Sequence, residues 1–187
     1  MAAKALPEQS VLLQLLRYEP ETGKLFWLPR GPEWFSDGKQ ASSQNAAIFN
    51  GKYSGTEAIT AFDAHGYRVG NILCRQHRAH RAIWAMSYGE WPNFIDHING
   101  VRSDNRLENL RSVSKSENSQ NMCRRSDNIT GVTGVCWHAA AQKWVSSICA
   151  GGVSKHLGLF SEFSDAVDAR KKAEEIMGFH KNHGRAA

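Results

Sequence analysis

The chain has 187 residues, 41% hydrophobic and 22% charged, with a formal net charge of +5. That much apolar material excludes a wholly disordered chain, and the length suits one or two small domains. The positive balance favours an anionic partner, nucleic acid first, and it is concentrated: residues 75–125 hold nine Lys and Arg against five Asp and Glu, while both flanks are near balance.

In chain order, "EQSVLLQLLRYE" repeats leucine at helical spacing and reads as an amphipathic helix. "ETGKLFWL" follows as a turn, punctuated by Gly23, and a short strand. Residues 29–64 are rich in Gly, Ser, Asn and Ala and read as loops. "GYRVGNILCRQHRAHRAIWAMSYGE" reads as two strands and then a helix from about His80 to Tyr88, with Pro92 barring helix beyond it. Asp96 and His97 follow the apolar pair Phe94–Ile95, which places them on a strand or at its end. "LRSVS" at 110–114 is a second strand, and Ser114 with Glu117 has the S-x-x-E pattern that caps a following helix. "RSDNIT" at 125–130 reads as a linker. Beyond it "GVCWH", "KWVSSIC" and "VSKHLGLF" are three short strands, and "SDAVDARKKAEEIM" is a helix whose N-cap is Ser161 or Ser164.

Cys74, Cys123, Cys136 and Cys149 are far apart and form no C-x-x-C pair, so a zinc site built on paired cysteines is not expected. Four free thiols in a reducing cytoplasm is the better reading. No apolar run is long enough to span a bilayer and no apolar signal segment opens the chain, so a cytoplasmic protein with no membrane partner is expected.

The segment "IDHINGVRSDNRLENLRSVSKSENSQN" thus reads strand, polar loop, strand, helix. A carboxylate, an imidazole and helix-borne amides would converge there. Such a set offers a divalent metal two oxygen ligands while leaving positions for water and phosphate. The imidazole could take a proton from an attacking water near neutral pH. Asn105 and Asn121 stay open between site residues and residues that hydrogen-bond backbone. His77 and His80 read as packing or phosphate-contacting residues rather than ligands. Arg102, Arg106 and Arg111 are either a solvated face or phosphate contacts.

The pattern DH-x11-N-x8-N, carried by Asp96, His97, Asn109 and Asn118, resembles the HNH (ββα-metal) endonucleases, closest to the phage and intron-encoded homing type. "AHRAIW" upstream and "DNRLENLRSV" downstream add to the likeness, which covers about residues 66–122. The resemblance implies that His97 is the general base and that Asp96 and Asn118 are metal ligands. It implies that Asn109 holds the loop and orients His97. Many members carry His at the last position. Asn118 there favours Mg²⁺ or Mn²⁺ over Zn²⁺.

"TGVCWHAAAQKWVSSICAGGVSKHLGLFSEFSDAVDARKKAEE" resembles the Apetala-two (ethylene-response-factor-like) DNA-binding domain over about 131–177. In that family a three-stranded sheet lies in the major groove with the helix behind it. Alternation sorts the faces. Val135, Trp144, Ser146, Ile148 and Leu157 should face the helix, with Ala166, Ala169 and Ala173 behind them. Cys136, His138, Val145, Ser147, Cys149, Ser154 and His156 should face outward. Trp137 and Trp144 read as core. Thr133, Cys136, His138, Cys149 and Ser154 stand where the plant family has arginines, which implies a reader that leans on DNA shape and backbone.

The fold class expected is α+β, a ββα-metal core followed by a small three-stranded antiparallel sheet with one helix. The domains expected are a scaffold at 1–65, the nuclease at 66–124 and the Apetala-two-like domain with its tail at 125–187. The function implied is a metal-dependent DNA endonuclease of the homing type, nicking one strand of double-stranded DNA as a monomer. The alternative is a DNA-binding regulator with an idle HNH fold. The DNA contacts expected are Arg78, Arg81, Arg102, Arg106, Arg111, His138, Lys143, Ser147, Ser154, Lys155 and His156.

Overall fold

A computed structural model describes residues 5–121 and 123–185. It is a mixed α+β fold built on small antiparallel sheets. The chain divides into two compact units, Met1–Ser112 and Val113–Ala187.

The first unit opens with α1 (Gln9–Leu15) and the hairpin β1 (Leu16–Glu19) and β2 (Lys24–Trp27). The leucine repeat predicts helix through Glu19, but the helix stops at Leu15. Leu16 to Glu19 pair with Trp27 to Lys24 instead, because Gly23, at φ +68°, folds the chain back on itself. Strand pairing overrides a helical pattern that leucine alone cannot enforce.

Residues 29–64, expected as loops, contain α2 (Ser42–Tyr53) and the two short strands β3 (Glu57–Ala58) and β4 (Ala61–Phe62). Helix α2 buries only Ala46 fully, so it carries no apolar stripe to announce it. Contacts from elsewhere hold it. Phe49 packs on Trp27, Phe35 and Tyr53, and the Asn50 amide brackets the Arg30 backbone with bonds of 2.8 and 2.9 Å.

Next come β5 (Arg68–Ile72), β6 (Arg75–Arg78) and α3 (Ala79–Tyr88), in the order the sequence predicts. Gly89 ends α3 in the left-handed conformation at φ +76°. Strands β7 (Ile95–His97) and β8 (Leu110–Ser112) pair antiparallel and set Asp96 opposite Arg111. One core runs through the whole unit. Leu12, Leu15, Leu16 and Leu25 from the N-terminal end are buried in the same cluster as Ile72, Ile83, Ile95 and Leu110.

The second unit begins with α4 (Lys115–Gln120). The capping box forms in both directions: the Glu117 N–H donates to Ser114 Oγ at 3.2 Å, and the Ser114 N–H donates to Glu117 Oε2 at 2.7 Å. Strands β9 (Val135–His138), β10 (Lys143–Ala150) and β11 (Val153–Phe160) form an antiparallel sheet with β10 in the centre. Helix α5 (Phe163–Ile176) packs on it. Val135, Ser146, Ile148, Ala166 and Ala173 are buried, while Cys136, His138, Cys149, Ser154 and His156 are exposed, as the alternation predicts.

Three expectations for this unit need correction. Helix α5 starts after Glu162, which makes no side-chain capping bond, rather than at a serine cap. Trp137 is 45% exposed, at the margin of the sheet, where it meets Trp144 edge-on at 5.1 Å. Arg170 is buried beside the alanines of α5, while Ala169 is only half-buried. Arg170 donates to the Ser147 carbonyl and to Glu174 Oε1, both at 2.6 Å, so its charge is compensated. All four cysteines are free thiols.

Candidate active site

The cross-strand pair Asp96–Arg111 is the first element of the site. Asp96 is 9% exposed, and the Arg111 guanidinium donates to its Oδ2 from Nη2 at 2.7 Å and Nε at 3.0 Å. His97 is the next residue on β7, points to the opposite face, and is 3% exposed.

The partner of the imidazole is Asn105. His97 Nε2 lies 3.0 Å from Asn105 Oδ1. An amide oxygen accepts, so Nε2 carries the proton and the lone pair of the neutral ring lies on Nδ1. Burial lowers the His97 pKa below its ordinary value, against the raising effects of the Asn105 bond and the Asp96 charge. The ring is therefore neutral near pH 7, the state a base requires.

Asn105 is fully buried, and its Nδ2 has no partner among the described residues. The N-terminal hairpin holds its backbone. Tyr18 Oη donates to the Asn105 carbonyl at 3.2 Å and accepts from the Leu107 N–H at 3.1 Å. At Gly23 a Cβ atom would sit 2.7 Å from the Asn105 carbonyl carbon and 2.6 Å from the Arg106 nitrogen, so only glycine allows the turn to come this close.

Asn109 does a different job from Asn105. Its Oδ1 accepts from the Asn99 N–H at 2.9 Å, and its Nδ2 donates to the Asp104 carbonyl at 2.8 Å. It pins the loop from both sides, while the bond to the imidazole comes from Asn105.

Two further rings pack on His97. Tyr67 lies 5.8 Å and His80 5.0 Å from it, centroid to centroid. His80 is buried, and burial first, then the neighbouring His97, pushes its pKa down to about 3. Burial likewise lowers His77, aided by Arg75 and Arg81. Each of these histidines takes up a proton near pH 6.5 when unfolded but stays neutral when folded. The contribution of each is complete above that pH and is lost as pH falls through its folded pKa, about 3 for His80. Asp104, held down to about 2 mainly by the Arg106 hydrogen bonds, adds a loss of the same sign in more acid solution. The urea midpoint should therefore fall between about pH 7 and about pH 5, and His80→Gln should shrink that fall. An equal midpoint at both pH values would show that these histidines are not held neutral by the fold.

The arginines are engaged within the unit. Arg102 donates to the His65 carbonyl at 2.7 Å, and Arg106 pairs with Asp104 at 2.8 Å and Glu108 at 2.9 Å. Arg78 pairs with Asp63 at 2.8 Å, and Arg81 donates to the Asn93 carbonyl at 3.3 Å. Asn118 stands half-buried on α4, in the second unit. Asn121, left open by the sequence, is buried and accepts from Arg185 through its carbonyl at 2.8 Å. Among the described residues no group of three His, Cys, Asp or Glu could hold a metal ion. Asp96 offers a carboxylate oxygen and Asn118 an amide oxygen, donor types that suit a hard cation sharing its shell with water and phosphate rather than zinc.

Residues 77–120 match the HNH endonuclease family model. Asp96, His97, Asn105, Asn109 and Asn118 all lie inside this HNH segment. Over 77 residues the chain is 34% identical to "Protein 3.8" of Escherichia phage T7; the aligned part is 40% of this chain and 64% of that protein's length. No solved structure matches the chain. No helix among the described residues is long and apolar enough to cross a membrane.

Proposed function

We propose that the chain is a metal-dependent DNA endonuclease of the homing type, with His97 as the general base. The observation that carries this reading is the buried, neutral His97, held at Nε2 by Asn105 inside a segment that matches the HNH endonuclease model. His97 Nδ1 takes a proton from water as the water oxygen bonds to phosphorus and the bond to the 3′-oxygen breaks, and the departing 3′-oxygen takes its proton from solvent water. The products are a 5′-phosphate and a 3′-hydroxyl. Asp96 and Asn118 would hold Mg²⁺ or Mn²⁺, which when bound supplies positive charge to the scissile phosphate and the leaving oxygen.

The second unit is read as an Apetala-two-like DNA-binding module. His138, Lys143, Ser154 and His156 are exposed on one face of its strands and Ser147 is half-exposed beside them, which supports a polar face for duplex DNA, while exposed Lys155 stands opposite buried Ile148 on the other face. Catalysis, on this reading, belongs to 66–124 and extra grip to 125–187, with residues 1–65 as scaffold, in a phage-derived protein acting in the host cytoplasm.

The competing reading is a DNA-binding regulator with an idle HNH fold. One observation favours it: Arg111 occupies Oδ2 of the carboxylate that would bind metal. Incubation with supercoiled plasmid, with and without Mg²⁺, separates the two. Relaxed or linear product that requires Mg²⁺ supports the endonuclease; a gel shift without cutting supports the regulator.

One HNH segment can hold one scissile phosphate at a time, and no heptad seam marks a dimer. Substrate labelled on either strand should therefore show a nick in one preferred strand, with the second cut late. Equal rates on both strands, rising with the square of enzyme concentration, would instead establish a working dimer.

A further inference from the structure

Arg30, half-buried just after β2, is held at both ends. Its guanidinium lies in the corner of two rings that meet at 79°, 4.7 Å from the Trp27 centroid and 4.1 Å from that of Phe49. Its backbone is gripped by the Asn50 amide, which accepts from the Arg30 N–H at 2.8 Å and donates to the Arg30 carbonyl at 2.9 Å.

No carboxylate completes this arrangement. Among the described residues no hydrogen bond or ion pair reaches the guanidinium, and Nε is buried without a partner. Burial pulls its pKa below the ordinary value, with no acid close enough to raise it. The acids nearest in sequence are turned elsewhere. The Glu33 carboxylate folds over Gly31, and Asp37 Oδ1 accepts from the Ser42 N–H at 2.7 Å. Helix α2 contains no acid, and its Lys52 ammonium lies over Tyr53 at 5.1 Å, in the same aromatic cluster. Stacking on rings offsets part of the cost of burying the cation. It engages only the faces of the guanidinium, whereas the N–H donors point outward in its plane. A buried N–H without an acceptor is costly and rare in native folds, and an apolar side chain would pack on the same rings without that cost.

We propose that Arg30 is a phosphate-binding residue whose Nη fork donates to two oxygens of a nucleic-acid backbone phosphate other than the scissile one. The fork matches the spacing of phosphate oxygens, and the rings and Asn50 fix it before the ligand arrives, so little freedom is lost on binding. Its place relative to the base follows from the hairpin. The Gly23 turn closes on the Asn105 loop, and β2 runs 4 residues on from it to Trp27. A strand rises about 3.3 Å per residue, so Trp27 stands about 13 Å along β2 from that turn. Each DNA strand advances about 3.4 Å per nucleotide, which places the bound phosphate a few nucleotides from the scissile one. Assigning the phosphate to a DNA backbone rests on the nucleic-acid reading above. The N-terminal third then grips substrate as well as serving as scaffold.

The test uses the full chain in two arms. In the first, inorganic phosphate is titrated while the Arg30 Nε–H resonance, identified by its absence from Arg30→Lys, is followed. It should shift saturably. A shift no larger than sodium chloride gives at equal ionic strength overturns the site. In the second arm, duplex affinity is measured in EDTA against salt. Arg30→Gln should bind all duplex sequences more weakly and flatten the slope by about 0.9, the loss of one phosphate contact. Arg30→Lys keeps one positive charge and so should keep the slope, while its affinity falls for want of the fork. A packing role alone would lower the thermal midpoint of Arg30→Gln and leave its slope at the wild-type value. That slope, with inorganic phosphate still bound by the wild type, would make the ligand a free phosphate and overturn the backbone assignment. Duplex added to the wild type must also move the Nε–H resonance, a readout that needs no glutamine variant to fold, and a resonance left unmoved overturns the assignment equally. If plasmid cutting is absent while both arms give the expected result, the phosphate site stands and the endonuclease reading falls. If cutting proceeds and Arg30→Gln keeps the wild-type slope, the phosphate site falls alone.

Discussion

Replacing His97 with alanine is expected to lower plasmid cleavage about 10²–10⁴-fold while duplex affinity changes little. The ring lies on β7 with its Nε2 bonded to Asn105, and on the endonuclease reading Nδ1 is the atom that takes the proton. Alanine also removes a buried ring packed between Tyr67 and His80, and some stability should go with it. His97→Gln separates the two effects. Glutamine restores much of the volume but cannot act as a base, so it should be as inactive as alanine while melting closer to the wild type. Because burial lowers the imidazole pKa, the wild-type rate should stay flat as pH falls through about 6.5 and drop only in more acid solution. Cutting by His97→Gln at a near wild-type rate would remove His97 from the chemistry.

The parts of this site that the sequence announced are the local ones. Asp96–His97 on a strand, Ser114 capping the helix that bears Asn118, and α3 ending at Tyr88 ahead of Pro92 each depend on residues a few positions apart, and short-range chemistry decides them. Helix α2 gave no such signal, because its burial depends on Phe49 meeting aromatic side chains from other elements rather than on a stripe of its own. Leu16 and Tyr18 lay in a helical repeat that only pairing with β2 could override. The burial of Arg170 had no local cue, because its compensation comes from a carbonyl 23 positions away. Asn105 was the costliest ambiguity. Its neighbours in sequence make it one polar loop residue among several. What singles it out is a tyrosine 87 positions earlier and a glycine whose missing side chain lets the hairpin close on the loop. The one cue in the segment was "DN" ahead of an arginine that folds back on Asp104, leaving the next side chain to turn inward.

Asn105→Leu is therefore the variant that most sharply divides positioning from stability. Asn105 is fully buried, and its Nδ2 already lacks a partner among the described residues, so an apolar side chain of similar size relieves one unfavourable group. The thermal midpoint should change little. Activity should not be spared, because leucine cannot accept from His97 Nε2. The ring then loses the bond that fixes its orientation and keeps the lone pair on Nδ1. A misaligned base of this kind costs about 10²-fold, and the loss should fall on kcat rather than KM, since nothing that touches bound DNA in the ground state has changed. Asn105→Asp supplies the control. A carboxylate keeps an acceptor at the same place, so it should recover part of the activity that leucine loses. Tyr18→Phe acts one step further out. It leaves the Leu107 N–H and the Asn105 carbonyl without their hydroxyl partner, which should cost about 1–3 kcal/mol of stability and a smaller part of the rate. Nitrogen shifts of the His97 ring would report the tautomer directly, with the proton on Nε2 in the wild type and shared between both nitrogens in Asn105→Leu. If Asn105→Leu cuts at the wild-type rate with the same tautomer, Asn105 only fills space and His97 takes its orientation from elsewhere.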